Sequence, residues 1–243
     1  MSLDTRPQTF TPEDYARIFE LERRQFYPAV DAFEQRMGYA LDREKLESAG
    51  RVLSCPIKAA APSWQQGRVI YAAWRHYLAQ GDGPVTALDI GTAKGFSALC
   101  ALWAVRDSQR GGEVHSVDVM PPTARVRRNT PAECDSLKTL AEILAPWPEA
   151  QTIRFHELTG AGWLQKHKGR VNLAFVDGKH SHEAVSVEAQ MLAARQESGD
   201  LVIFDDVQMP PVGKAVRESG RYYDVEILAL GSVNRAYGIG VRK

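Results

Sequence analysis

The stretch that decides the fold is Ala87-Leu88-Asp89-Ile90-Gly91-Thr92-Ala93-Lys94-Gly95-Phe96-Ser97. An apolar run, Thr86–Ile90, reads as a strand; it enters a glycine turn, and a helical pattern over Ser97–Ala104 follows at once. Strand, glycine turn and helix in that order open a parallel α/β sheet. Glycines in such a turn let a ligand approach the backbone, and the free N–H groups of the helix start favour an anion, phosphate or carboxylate. The spacing narrows the choice. The dinucleotide fingerprint needs Gly-x-Gly-x-x-Gly, and Ala93 stands between Gly91 and Gly95, so it fails. The phosphate loop Gly-x-x-x-x-Gly-Lys-Ser/Thr fails too. What fits is acidic-x-Gly-x-x-x-Gly, with Asp89 near the strand end. A tight turn without a ligand is the plainer alternative.

Outward from this loop, further strands are expected at Glu113–Asp118, Thr152–His156, Val171–Asp177 and Leu201–Asp205, with helices at Cys134–Ala145 and Glu183–Gln196 between them. Tyr222–Leu230 and Arg235–Val241 flank Gly231-Ser232-Val233-Asn234 with no helix, so they read as an antiparallel hairpin. The fold class is therefore α/β: a doubly wound, Rossmann-like, mostly parallel sheet closed by an antiparallel C-terminal hairpin. Residues 1–84 read as an N-terminal helical cap or lid, and 85–243 as the ligand-binding domain. In the cap, Thr11, Pro12, Glu13 and Asp14 mark a helix start, with Tyr15, Ile18, Phe19 and Phe26 as its apolar face. Pro28 ends or interrupts it, and a loop with Pro56 and Pro62 follows. A second helix spans Gly67–Gln80, with Val69, Ile70, Ala73, Trp74 and Tyr77 on one side.

Composition excludes several classes. The 243 residues carry 30 Lys+Arg and 30 Asp+Glu, so no net field draws nucleic acid or an anionic membrane. An apolar content of 44% is too high for a disordered chain. The longest apolar run, Ala98–Val105, falls far short of the roughly 20 residues of a membrane span. The first twenty residues are polar and acidic, so no secretory leader is expected. Cys55, Cys100 and Cys134 are widely spaced, form no metal pair or disulfide framework, and suit a reducing cytoplasm.

Asp118 ends the second strand, 23 residues after Gly95, where a carboxylate accepts both hydroxyls of a ribose. With that pair in hand, the run Asp89-Ile90-Gly91-Thr92-x-x-Gly95-Phe96-Ser97 resembles the first motif of class I S-adenosylmethionine-dependent methyltransferases. It is most similar to small-molecule O-methyltransferases of the catechol and caffeoyl-CoA type and to related sugar and macrolide enzymes. The resemblance covers about residues 64–243, and the segment Gln65-Gln66-Gly67-Arg68 shares in it. It implies a seven-stranded sheet with S-adenosylmethionine as cofactor. Asp89, Gly91, Thr92, Ala93 and Gly95 would pass the methionine moiety, Ser97 would hold its carboxylate, and Asp118 the ribose. Met120 and Thr159–Trp163 would lie near the adenine.

Two further strand ends carry acids: Val176-Asp177-Gly178-Lys179-His180-Ser181-His182 and Phe204-Asp205-Asp206. Three carboxylates on one sheet edge raise each other's pKa unless a cation neutralises them, and a hard divalent ion with oxygen ligands would do so. Asp177, Asp205 and Asp206 resemble the Mg²⁺ set of the catechol-type enzymes, with Asp206 in place of an asparagine; capping of the following helix is the alternative. Methyl transfer to a hydroxyl also needs a base, and His180 is the candidate, three residues beyond Asp177, where the resemblance implies a basic residue. Lys179 and His182 compete with it. Arg125, Arg127 and Arg128 read as a solvated face or as a contact for an acidic acceptor. Of Trp64, Trp147 and Trp163, only the last is expected near cofactor. The implied partner is a small hydroxylated acceptor; nucleic acid and membrane are not expected, and the exposed helical faces of the cap leave room for a homodimer. A nicotinamide-dependent oxidoreductase and a non-catalytic binding protein of the same fold remain as alternatives.

Overall fold

A computed structural model describes residues 12–54, 64–128, 137–231 and 233–243. Seven strands form the central sheet: β1 (Val85–Ile90), β2 (Gly112–Asp118), β3 (Arg154–Glu157), β4 (Leu173–Val176), β5 (Leu201–Phe204), β6 (Tyr223–Ala229) and β7 (Ala236–Arg242). Their order is β3-β2-β1-β4-β5-β7-β6. Strands β1 to β5 pair in parallel, and β7 runs antiparallel to both β5 and β6. The doubly wound sheet with its antiparallel hairpin is as the sequence implied. From β1 the chain winds outward to β3, then returns to β4 and winds to the other edge. The reversal between β1 and β4 is a topological switch point, and ligands bind at the carboxyl ends of the strands there.

Helices α1 (Pro12–Arg24), α2 (Pro28–Met37), α3 (Arg43–Ala49) and α4 (Gln65–Leu78) precede the sheet. Helices α5 (Phe96–Ser108), α6 (Leu140–Leu144), α7 (Gly160–Lys166), α8 (His182–Ala193) and α9 (Pro210–Glu218) connect its strands. Helix α5 is buried from Phe96 through Val105 because it lies between the sheet and α4. Tyr27, Val30, Phe33, Trp64 and Trp74 of the N-terminal helices share one apolar cluster with α5 and the sheet. The opposite face packs on α7, α8 and α9. Strands β4 and β5 are buried on both faces, which explains their unbroken apolar sequence.

Two local expectations change. Helix α1 stops at Arg24, so Phe26 stands beyond it and is 81% exposed; the helix turns Glu22 inward instead. The expected helix over Cys134–Ala145 is short. Leu137–Lys138 pair with Arg127–Arg128 as a two-residue ribbon, and a capping box between Thr139 and Glu142 starts α6 only at Leu140. Thr11, Cys55, Pro56, Pro62 and Cys134 lie outside the described residues. Among the described residues, no helix is long and apolar enough to cross a membrane.

Candidate active site

The loop after β1 is built by its backbone. Gly91 has φ +101°, and a Cβ there would stand 2.1 Å from the carbonyl oxygen of Asp177. Glycine is what lets the β1 and β4 loops touch at the switch point. Gly95, at φ +87°, turns the chain into the first turn of α5. Asp118 fastens the loop from the β2 side: its Oδ2 accepts the Ala93 N–H at 2.8 Å and its Oδ1 the Met120 N–H at 2.8 Å. Each carboxylate oxygen has a second lone pair, and Asp118 is only partly buried, so it keeps acceptors for a diol.

Other expected cofactor residues lie deeper. Asp89 has no exposed surface, and burial pushes its carboxyl up to about 7, with the Ser116 and Ser97 hydroxyls opposing the rise. Ser116 donates to Asp89 Oδ2 at 2.5 Å, and its oxygen lies 2.6 Å from Thr92 Oγ1. Asp89, Thr92 and Ser97 therefore brace the loop from beneath. Asp89 and Ser97, expected to meet the cofactor, are both buried at the base of the loop. Trp163, expected near the adenine, is also buried. Its ring stacks on His167 at 4.3 Å and tilts on His115 at 5.0 Å, within the apolar layer under the sheet. Met120 is partly exposed beside Asp118.

At the other side of the switch point, His180 Nε2 lies 3.1 Å from Asp177 Oδ1 and 3.4 Å from Asp206 Oδ2. Its bond to Asp177 raises the imidazole above its ordinary pKa, and burial opposes. The competitors stand elsewhere: His182 pairs with Glu218 of α9 at 2.7 Å, and Lys179 is exposed.

The expected metal set does not come together. Asp205 is fully buried; its Oδ2 is bonded by Arg235 Nη2 and its Oδ1 accepts the Asp206 N–H at 2.7 Å. The described groups that converge are instead Asp177, His180 and Asp206, with ligand atoms within 4.8 Å of one another. Arg235 went unnoticed in the sequence. A signal was there: it immediately precedes the last strand, and antiparallel pairing of β7 with β5 carries that end to the carboxyl end of β5.

Two buried acids also escaped notice. Glu22 accepts Tyr27 Oη–H at 3.0 Å and Gln65 Nε2–H at 3.1 Å. It lines a cavity of about 530 Å³ together with Phe26, Tyr27, Trp64, Gln65 and Arg68. Glu188 of α8 lies under the start of α7; burial pushes it up to about 7, with a bond from Ala161 N–H opposing. Arg125, by contrast, is an exposed residue paired with Glu142 at 2.5 Å, which favours a solvated face.

With this geometry in view, residues 88–207 match the family model of a methyltransferase domain. No curated protein matches the chain by sequence. Solved structures similar in fold include an O-methyltransferase from Bacillus cereus in complex with S-adenosylhomocysteine. It has a TM-score of 0.57 and 11% identity over 96% of this chain and 100% of that one. The O-methyltransferase TomG of Streptomyces achromogenes, involved in tomaymycin synthesis and solved with S-adenosylmethionine, gives 0.56 and 14% over 84% and 92%. An rRNA methylase from Streptococcus thermophilus gives 0.50 and 11% over 70% and 95%. The matched domain and the sheet order define an S-adenosylmethionine-dependent methyltransferase of class I. The chain thus carries a methyltransferase domain, matched over residues 88–207.

Proposed function

We propose that the protein transfers a methyl group from S-adenosylmethionine to a hydroxyl of a small molecule, such as a sugar, phenol or natural product, with His180 as general base. The observation that carries the reading is the His180–Asp177 pair at the end of β4, directly across the switch point from Gly91.

The chain's residues suit the cofactor. Asp118 offers carboxylate acceptors to the ribose hydroxyls, the Gly91–Gly95 turn offers the methionine moiety a close approach, and the first turn of α5 offers it N–H donors. Bound there, S-adenosylmethionine supplies an electrophilic sulfonium methyl. Asp177 holds the His180 ring and favours its protonated form. With its Nε2–H held by Asp177, His180 takes the acceptor's hydroxyl proton on the other ring nitrogen, Nδ1, as the oxygen attacks. Alignment of the two reactants in one cleft supplies much of the remaining rate. The cavity bordered by Glu22 and Gln65 has the size of a small-molecule site, and Gln65 adjoins Gln66, which contacts Arg235. We assign it to the acceptor, with the N-terminal helices as its wall.

Magnesium assistance through Asp177, Asp205 and Asp206 does not fit these side chains, because Arg235 occupies Asp205. The alternative set would take His180 Nε2 away from its bond to Asp177, and Mg²⁺ prefers oxygen ligands. No step is routed through a metal.

The test is incubation with S-adenosylmethionine and a panel of hydroxylated acceptors, read by mass spectrometry. Methyl ethers formed by the wild type and lost in His180→Ala, with cofactor binding retained, are the expected result. N-methyl products alone, or full activity in His180→Ala, would overturn the reading.

A further inference from the structure

The carboxylate cluster is neutralised from within. Asp177, Asp205 and Asp206 all lie at the carboxyl ends of β4 and β5, and such a group needs positive charge nearby. Arg235 provides one. Its guanidinium bonds Asp205, lies 3.9 Å from Asp206 Oδ1, donates to Gln66 Oε1 at 3.3 Å and lies 5.7 Å from the centre of the Tyr237 ring. Its side chain is 22% exposed and Asp205 has no exposure, so a cation reaching Asp205 must first leave a mostly buried arginine unpaired. His180 covers the remaining pair, Asp177 and Asp206. Gln208 holds Asp206 Oδ1 at 2.7 Å and accepts the Ala236 N–H at 2.8 Å, tying the arrangement to the same strand that carries Arg235.

We infer that Arg235 is the resident counter-cation of this active site and a positioning residue for His180, so that methyl transfer runs without a divalent metal. This rests on the methyltransferase reading above. Arg235 fixes Asp205, whose Oδ1 holds the Asp206 backbone, and Asp206 in turn fixes the His180 ring.

The test combines chelation with substitution. After treatment with EDTA, wild-type protein keeps its turnover, and added Mg²⁺ or Mn²⁺ changes it less than about twofold; Mn²⁺ binding, read by electron paramagnetic resonance, is no tighter than millimolar. Arg235→Gln opens Asp205. It is expected to lower kcat about 100-fold, in the range of lost general-base catalysis. Affinity for S-adenosylhomocysteine should hold, and Mn²⁺ should bind about tenfold more tightly or better, as expected for exposed paired carboxylates. Arg235→Lys restores part of kcat and removes the new Mn²⁺ affinity. Wild-type turnover lost on chelation and restored by Mg²⁺ would overturn the inference, as would Arg235→Gln with unchanged kcat and Mn²⁺ affinity. If Arg235→Gln does not fold, wild-type chelation and Arg235→Lys decide. If no acceptor is methylated, the reaction assignment fails, while Mn²⁺ binding to wild type and Arg235→Lys still decides how the cluster is neutralised.

Discussion

The two sides of the cleft are held by different forces. On the β1–β2 side the ligand surface is backbone: glycine dihedrals, the Asp118 bonds to Ala93 and Met120, and a hydroxyl brace under the loop. On the β4–β5 side it is side-chain charge, with three carboxylates set against one arginine and one histidine. The first side is built for shape and the second for chemistry. Substitutions on the first should therefore change affinity, and on the second turnover.

The largest effect should come from Gly91→Ala, which forces a Cβ against the Asp177 carbonyl and strains a positive φ. A stability loss on the order of 3 kcal/mol is expected, with cofactor binding abolished, checked by thermal melting and calorimetry. It breaks the comparison at the point where both sides touch. His180→Ala belongs purely to the charged side: kcat should fall about 10²- to 10⁴-fold with cofactor affinity unchanged, read by steady-state kinetics beside calorimetry. Asp118→Asn belongs to the backbone side, and cofactor affinity should drop about 10- to 100-fold, the worth of charged hydrogen bonds. The smallest effect concerns Glu188, beneath both. Burial pushes its carboxyl up to about 7, above the ordinary glutamate range, so the native state keeps a proton the unfolded chain loses as pH rises through that window. Wild type should thus lose stability relative to Glu188→Gln between pH 5 and pH 8, by roughly 2 kcal/mol in denaturant titrations. A pH-independent difference would show that Glu188 is ionised throughout.

The same division explains what was legible in the sequence. Asp89 through Ser97 is contiguous, so its spacing alone identified loop, helix start and fold. Asp118, Asp177 and Asp205 could be placed because each ends a strand, and parallel strands share one edge. What the pattern could not give was depth. Asp89, Ser97 and Trp163 sit at the right level of the sheet, and the pattern did not show that their side chains are buried. Nor could it give partners from afar. Arg235 meets Asp205 across 30 residues of sequence, through a strand that runs against its neighbours. A carboxylate without its arginine reads as a metal ligand; with it, the same residue becomes half of an ion pair.

The central claim is that the Gly91–Asp118 side holds an S-adenosyl cofactor. Its most direct test is calorimetric titration of wild type and Asp118→Asn with S-adenosylhomocysteine, repeated with a nicotinamide dinucleotide. Micromolar binding of S-adenosylhomocysteine, weakened in Asp118→Asn, and no binding of the dinucleotide is the predicted result. No heat with S-adenosylhomocysteine, or equal affinity in the two proteins, would contradict it.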